Sequence, residues 1–233
     1  MQAETLKRIY YDACCEELQV FKPGNFSSLS KIHSMNELKF KYAAMISSKF
    51  LTNKELTIGE AIFFSAKQCK IELNSNYNLG IIILCAPIIR TCMKSIKHFK
   101  INLKSCLNKI SERDGKLILK SIKFVKPAGI ENYNGKGNVL KSKKEWSFLE
   151  IMRIGSSWDR ISRCYIQNYL EIIDFGLPLF TKLKKKVNRR KAIEILYLNF
   201  LANSLDSHLQ RKFGKEKATT IMKKAIMTKK KIH

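Results

Sequence analysis

Apolar residues along this chain return at intervals of three and four, not two. Ile58, Ala61, Ile62, Ser65, Ala66 and Cys69 put one small or apolar side chain on every turn of the same face, the mark of an amphipathic α-helix. Ser or Thr followed three residues later by Glu or Asp recurs before such stretches. There the hydroxyl and the carboxylate can each satisfy an unpaired backbone N–H. Ser34–Glu37, Thr57–Glu60, Ser142–Glu145 and Ser156–Asp159 are therefore predicted to open helices, the last running on through "SWDRISRCYIQNYLEIIDF". Gly, Pro and Asn set breaks at 22–33, 74–78, 110–116, 125–139, 175–178 and 213–217. No segment sustains strand alternation, no repeat has a fixed period, and no linker is long enough to divide the chain. The pattern predicts one all-α domain over 1–233, of about nine to eleven helices, with a basic tail at 228–233 that frays.

One stretch breaks the amphipathic rule. In "NSNYNLGIIILCAPII" (74–89) a polar head precedes an almost unbroken apolar run. From Leu79 to Ile89 the run has half of the roughly 20 residues needed to cross a bilayer, and Pro87 interrupts it. With no polar face it predicts a central helix buried on all sides. Such a helix holds Asn76, Asn78 and Gly80 still at its N-terminal mouth, where glycine lets a ligand or a neighbouring backbone approach.

Composition fits a folded domain: 45% hydrophobic and 27% charged residues in 233, enough chain for one substantial core. The charge is +25, from 44 basic and 19 acidic residues. Nucleic acid, an anionic membrane or a polyphosphate ligand would each suit that excess. However, it is mostly lysine spread from Lys7 to Lys231, as general basic drift produces, and the clusters "KLKKKVNRRK" and "MTKKKIH" read as a solvated loop and a tail. Seven cysteines contain no CxxC pair and no histidines at zinc-finger spacing, which predicts neither a zinc site nor a disulfide framework and fits a reducing cytosol. The N-terminus lacks the apolar stretch and cleavage site of a secretory signal, so a cytoplasmic location is expected.

No P-loop, GxGxxG, GxSxG or HExxH is present. What remains is a set of polar residues at helix starts: "KPGN" (22–25), "NSNYNLG" (74–80), "SSWDR" (156–160) and "SLDSHLQRKFG" (204–214). Helix N-termini offer unpaired N–H groups and a positive dipole end to anions.

These segments carry a resemblance. "KPGN" followed by His33-Ser34-Met35, "GEAI" (59–62), "NSNYNLGIIILCAP" (74–87), "DRISRCY" (159–165), "FGLP" (175–178) and "LDSHLQRKFG" (205–214) follow the order and spacing of the triphosphoribosyl-dephospho-CoA synthase family over nearly the whole chain. The resemblance implies an all-helical, Mg²⁺-dependent transferase. Its expected reaction moves the 5-triphosphoribosyl unit of ATP onto the 2′-hydroxyl of 3′-dephospho-CoA and releases adenine. Its implied partners are ATP and dephospho-CoA, with an acyl-carrier protein or its prosthetic-group transferase downstream, and no membrane.

Carried onto this chain, the resemblance makes Asp159, Asp206, His208 and Glu60 the catalytic candidates, with Glu60, Asp159 and Asp206 also able to hold the metal. Lys22, Asn25, His33, Asn76, Asn78, Gly80, Arg160, Arg163, Arg211 and Lys212 become the substrate-binding candidates. Read without it, Glu60 and Asp159 complete helix caps, Asn76 and Asn78 are turn residues, and His208 is a surface histidine. Two positions depart from the family pattern: Asn138, in Gly137-Asn138-Val139, stands where an acidic residue is expected, and Cys164 where a glutamine is common. The alternatives are a ribosyl transferase with another nucleotide-like acceptor, a basic nucleic-acid-binding helical protein, and an inactive scaffold.

Overall fold

The computed structural model describes residues 1–22, 26–29, 35–131, 133–141 and 144–232, without the side chains of Lys212, Lys231 and Ile232. It contains twelve α-helices and no strand among those residues: α1 (Ala3–Leu18), α2 (Glu37–Leu51), α3 (Ile58–Leu73), α4 (Leu79–Lys94), α5 (Phe99–Asn108), α6 (Glu112–Val125), α7 (Phe148–Gly155), α8 (Arg160–Ile166), α9 (Leu177–Lys184), α10 (Arg189–Asn203), α11 (Ser207–Phe213) and α12 (Lys215–Ile232). A π-helical segment, Glu171–Gly176, leads into α9.

The dry run is α4, and it is the central helix. It packs against α1, α2, α3, α5, α6 and α8, and no residue from Tyr77 to Met93 is exposed. No single described helix is long and apolar enough to cross a membrane. Pro87 sits inside α4 and lacks the N–H that would bond the carbonyl of Ile83. Tyr165 Oη supplies the missing donor at 2.7 Å, and Tyr169 Oη donates to the next carbonyl, Leu84, at 2.9 Å. These two bonds fasten the segment after α7 onto the core. They also hold a sharp bend: Asn168 and Tyr169 are both left-handed, at φ 50° and 61°, a conformation that side chains other than glycine adopt only under constraint.

The helix boundaries follow the capping rule with shifts. Thr57 and Glu60 form the expected box. The start of α2 is capped by Asn36; Ser34 lies outside the described residues. The box that opens α7 is Ser147–Glu150, not Ser142–Glu145, and Ser142 also lies outside them. Ser156 ends α7, so Asp159 caps α8 alone, and the single long helix expected from 156 to 175 is broken by the left-handed pair. Ser111–Asp114 opens α6 inside a segment expected to be a turn. "FGLP" changes helix type without ending the helix, and the basic end expected to fray lies in α12 as far as Ile232. The count of twelve exceeds nine to eleven because of these extra stops.

Contacts between helices fix which ends coincide. Tyr10 of α1 meets Ser47 of α2 at 3.0 Å, Ser65 of α3 donates to Ser47 O at 3.3 Å, and Tyr42 of α2 donates to Glu72 near the end of α3. The C-termini of α1 and α3 and the N-termini of α2 and α4 therefore share one end. Val125, the last residue of α6, lines a crevice with Asn76, Asn78 and Leu79, which brings α6 to the same end. The opposite end holds the starts of α3 and α6, where Gly59 N–H donates to Asp114 Oδ1 at 2.9 Å. A Cβ at Gly59 would stand 2.5 Å from Asp114 Cα, so glycine is needed for these two backbones to touch.

Candidate active site

The site is assembled where α4 begins. Gly80 lies one residue into α4, and a Cβ there would come within 3.3 Å of Ile161 Cδ1, so the start of α8 abuts the mouth of α4. Asp159 caps α8: its Oδ1 accepts from the Ser162 N–H at 2.8 Å and from Ser162 Oγ at 3.0 Å. Gly155 makes room for this, since a Cβ would meet Ser162 Oγ at 2.6 Å. The other oxygen, Asp159 Oδ2, accepts from Arg211 Nη1 at 3.3 Å. Residues 52 positions apart, from two separate sequence motifs, thus form one ion pair, with side chains 10% and 29% exposed.

Arg211 is carried by α11, whose N-cap is Asp206; its Oδ1 accepts from Leu209 N–H at 2.9 Å. His208 is exposed on the same helix. Gly129, at φ 83°, brings the loop after α6 against the backbone of Arg211, where a Cβ would lie 2.9 Å from its carbonyl oxygen. Arg211 Nε is buried without a hydrogen-bond partner among the described residues.

The remaining cations differ in how far they are committed. Arg160 donates from Nη2 to Phe200 O at 2.9 Å and to Ser204 Oγ, and lies over the Phe200 ring. Its Nε is 3.3 Å from Glu171 Oε2, so it ties α8 to the π-helical segment and to α10. Arg163 donates from Nε to Ser156 O at 3.1 Å. Lys22 is buried and its ammonium is bonded to Glu17 Oε1.

The two asparagines face different ways. Asn76 Oδ1 accepts from Leu79 N–H at 3.2 Å and performs the capping that Asn78, the N-cap by position, does not. Asn78 is 3% exposed and donates from Nδ2 to Ser47 Oγ at 3.0 Å, joining Tyr10 in a buried polar network. Burial pushes the Cys69 thiol beside it up to about 12, against the lowering effect of the Asn78 amide. Cys164 is likewise pushed up to about 12 by burial, so its thiol is inert. Asn138 organises its loop: the amide donates to Ile130 O and Tyr133 O, and Oδ1 accepts from the N–H groups of Leu140 and Lys141. A carboxylate could take only the accepting half of that arrangement.

Glu60 is not brought to this site. Its oxygens are used by Thr57 N–H at 3.0 Å and Arg113 Nη2 at 2.9 Å. From Glu60 to the end of α3 the helical rise is about 20 Å. A groove of about 590 Å³ does lie beside it, lined by Phe63, Phe64, Arg113, Lys116 and Lys120. Its cations are already engaged: Arg113 with Glu60, Lys116 with Glu112, and Lys120 over the Phe63 ring. Arg211 and Lys22 are engaged in the same way, by Asp159 and Glu17, so what distinguishes the start of α4 is that candidates from two separate motifs, Asp159 and Arg211, meet beside it.

Asn25 and His33, and the side chain of Lys212, lie outside the described residues. The sequence reading missed Ser162, Ser204 and Glu171. Ser162 was detectable, as the residue three beyond an Asp cap, whereas Glu171 is separated from Arg160 by a bend that leaves no periodic trace. Glu60, Asp159 and Asp206 do not converge, and no group of three or more His, Cys, Asp or Glu among the described residues is placed to hold a metal.

Fold and site together define an all-helical protein in which Arg211 of α11 meets the α8-capping carboxylate of Asp159 beside the start of α4, a guanidinium of the kind that suits phosphate oxygens. A family model described as ATP:dephospho-CoA triphosphoribosyl transferase (CitG) matches residues 3–231 of the chain. The chain belongs to this family of transferases acting on ATP and dephospho-CoA. Comparison with curated proteins and with solved structures returned no match.

Proposed function

We propose that the protein transfers the 5-triphosphoribosyl group of ATP to the 2′-hydroxyl of 3′-dephospho-CoA. The C1′–N9 bond of ATP breaks, a bond from C1′ to the acceptor oxygen forms, and the hydroxyl proton leaves with adenine as its net destination. The observation that carries this reading is the meeting of Asp159 with Arg211 at the mouth of α4. A guanidinium suits phosphate oxygens because its donors form a planar fork. When phosphates take the Arg211 guanidinium, Asp159 Oδ2 loses its partner and becomes the base that accepts the hydroxyl proton. Arg163 and Lys22 add cations at the same end, while Arg160 keeps α8 in place.

Magnesium enters this reading only as the ion that accompanies ATP. The three carboxylates form no common site among the described residues, and no step is routed through a protein-held metal. The charge that develops at the anomeric carbon as adenine departs is oxocarbenium-like, and preorganised electrostatics around the triphosphate would lower that barrier.

The test is incubation of the purified protein with ATP, Mg²⁺ and dephospho-CoA, followed by chromatography and mass analysis. Free adenine and a CoA species enlarged by the triphosphoribosyl unit are expected in equal amounts. Adenine released only with another acceptor points to a different ribosyl transferase. No adenine with any acceptor, together with salt-sensitive binding of nucleic acid, overturns the enzyme reading.

A further inference from the structure

The positive charge of this chain is not evenly spread over the fold. Residues 177–233 hold sixteen of its Lys and Arg and only three of its carboxylates, so about half the net charge lies in a quarter of the chain. Uniform basic drift does not produce that. These residues form α9 to α12, which carry small cores of their own, around Leu183, Ala192 and Ile195 and around Leu201, Leu209, Ala218 and Ala225.

The unit touches the rest of the protein at charged points near both ends of α10. Arg211 reaches Asp159, and Phe200 and Ser204 hold Arg160. At the other end of α10, Arg189 donates to Glu16 Oε1 and Oε2 at 2.5 and 2.8 Å. Glu16 is the neighbour of Glu17, the partner of Lys22. The turn between α9 and α10 is thus anchored next to the carboxylate that holds Lys22, a substrate-binding candidate. Lys182 and Lys184 at the end of α9 and Lys185 and Lys186 in the turn after it are all exposed, and none has a carboxylate partner among the described residues, although Lys184 lies over the Phe180 ring. Glu16 is already taken by Arg189, and Glu194 by Arg190 and Lys191.

We propose that the end of α9 and the turn after it form an electrostatic collector, a surface that draws phosphate-bearing substrates toward the site about 22 Å away along α10 without contacting the reacting atoms. The inference rests on the transferase reading. ATP and dephospho-CoA are both polyanions, and like-signed charge beside a site raises the capture rate of its counter-ion by about 10-fold to 1,000-fold at low ionic strength. Fields of this kind are screened over about 8 Å at physiological salt, so salt must abolish the effect.

The test is the quadruple variant Lys182→Glu, Lys184→Glu, Lys185→Glu and Lys186→Glu, with the corresponding Gln variant as a graded control. Association of a fluorescent ATP analogue is followed by stopped flow, and kcat and kcat/KM by adenine release, across a range of NaCl. At low salt the Glu variant is expected to lose about tenfold in association rate and in kcat/KM, with the Gln variant intermediate. At high salt the three proteins should converge, with kcat unchanged throughout. Equal association rates at low salt, a deficit that salt does not remove, or a fall in kcat would each overturn the collector. Salt-sensitive capture of RNA or DNA through these lysines, with ATP association unaffected, would overturn it as well. The two readings fail separately. Charge-dependent ATP capture without adenine release sinks the reaction alone, and normal adenine release indifferent to these charges sinks the collector alone.

Discussion

Asp159→Asn separates a structural carboxylate from a chemical one. Asparagine caps helices about as well as aspartate, so its side-chain oxygen can still accept the Ser162 N–H that Asp159 holds at 2.8 Å. What the substitution removes is the charge facing Arg211 Nη1 at 3.3 Å. Exposed pairs contribute about 0–1 kcal/mol, and breaking a buried pair costs about 3–5 kcal/mol. With Arg211 29% exposed and Asp159 10%, this pair stands between, and water screens part of it. A loss of about 1–2 kcal/mol follows, or a fall of about 2–8 °C in Tm for a domain of this size. Turnover is expected to drop much further, by about 100-fold or more, because an amide cannot take a proton from the acceptor hydroxyl. Thermal unfolding followed by circular dichroism gives the first quantity, and adenine release from ATP and dephospho-CoA the second. Asp159→Ala, which also forfeits the cap, should cost about 1 kcal/mol more in stability with no greater loss of turnover. Wild-type turnover in Asp159→Asn would refute the assignment of the base. A fall in Tm large enough to leave the protein unfolded at the assay temperature would make Asp159 a structural residue.

Three further outcomes test the framework. Tyr165→Phe strips the carbonyl of Ile83 of the donor that replaces the missing Pro87 N–H, and urea unfolding should show a loss of about 1–3 kcal/mol, whereas an unchanged midpoint would mean that the carbonyl needs no partner. Asn78→Ala leaves Ser47 and Tyr10 without their amide neighbour in a buried network, so a stability loss of about 1–3 kcal/mol is expected beside any loss of turnover; turnover lost at full stability would show that Asn78 acts on substrate instead. Asp114 is subject to burial, which raises its pKa, but hydrogen bonds from Ser111, Thr57 and the Gly59 N–H outweigh this and hold its carboxyl below the ordinary value. A depressed folded pKa stabilises the protein above the unfolded value of about 3.9 and loses that contribution as pH falls through the lower folded value, so Asp114→Asn should flatten the acid limb of a Tm-against-pH profile below about pH 4.

The architecture was legible where its cause was local. Thr57–Glu60 could be read because a capping box needs only two residues at fixed spacing, and α4 because a helix buried on every side has no polar stripe to hide. The same rule would have found Ser111–Asp114, had Gly115 not made that segment look like a turn. The break at Asn168 and Tyr169 had no comparable signal. It exists because two tyrosine hydroxyls find carbonyls 82 and 85 residues earlier, and nothing in the local pattern of "CYIQNYLEII" announces so distant a partner.

The candidate residues could be named from the sequence, but which of them meet could not. Asp159 and Arg211 stand in motifs that could be quoted from the chain, yet their pairing depends on α11 folding back against the loop at Gly129. Glu60 was quoted with equal reason and lies at the far end of α3, because a helix carries its first turn away from its last. Asn76 and Asn78, two residues apart, were read as one polar mouth. Since Asn78 is the N-cap by position but spends its amide on Ser47, the capping falls to Asn76, while both line the same crevice. Periodicity assigns side chains to faces of regular elements. At a turn of five residues it assigns nothing, and there the inward asparagine is the one whose buried amide finds an acceptor in Ser47 Oγ, 31 residues earlier.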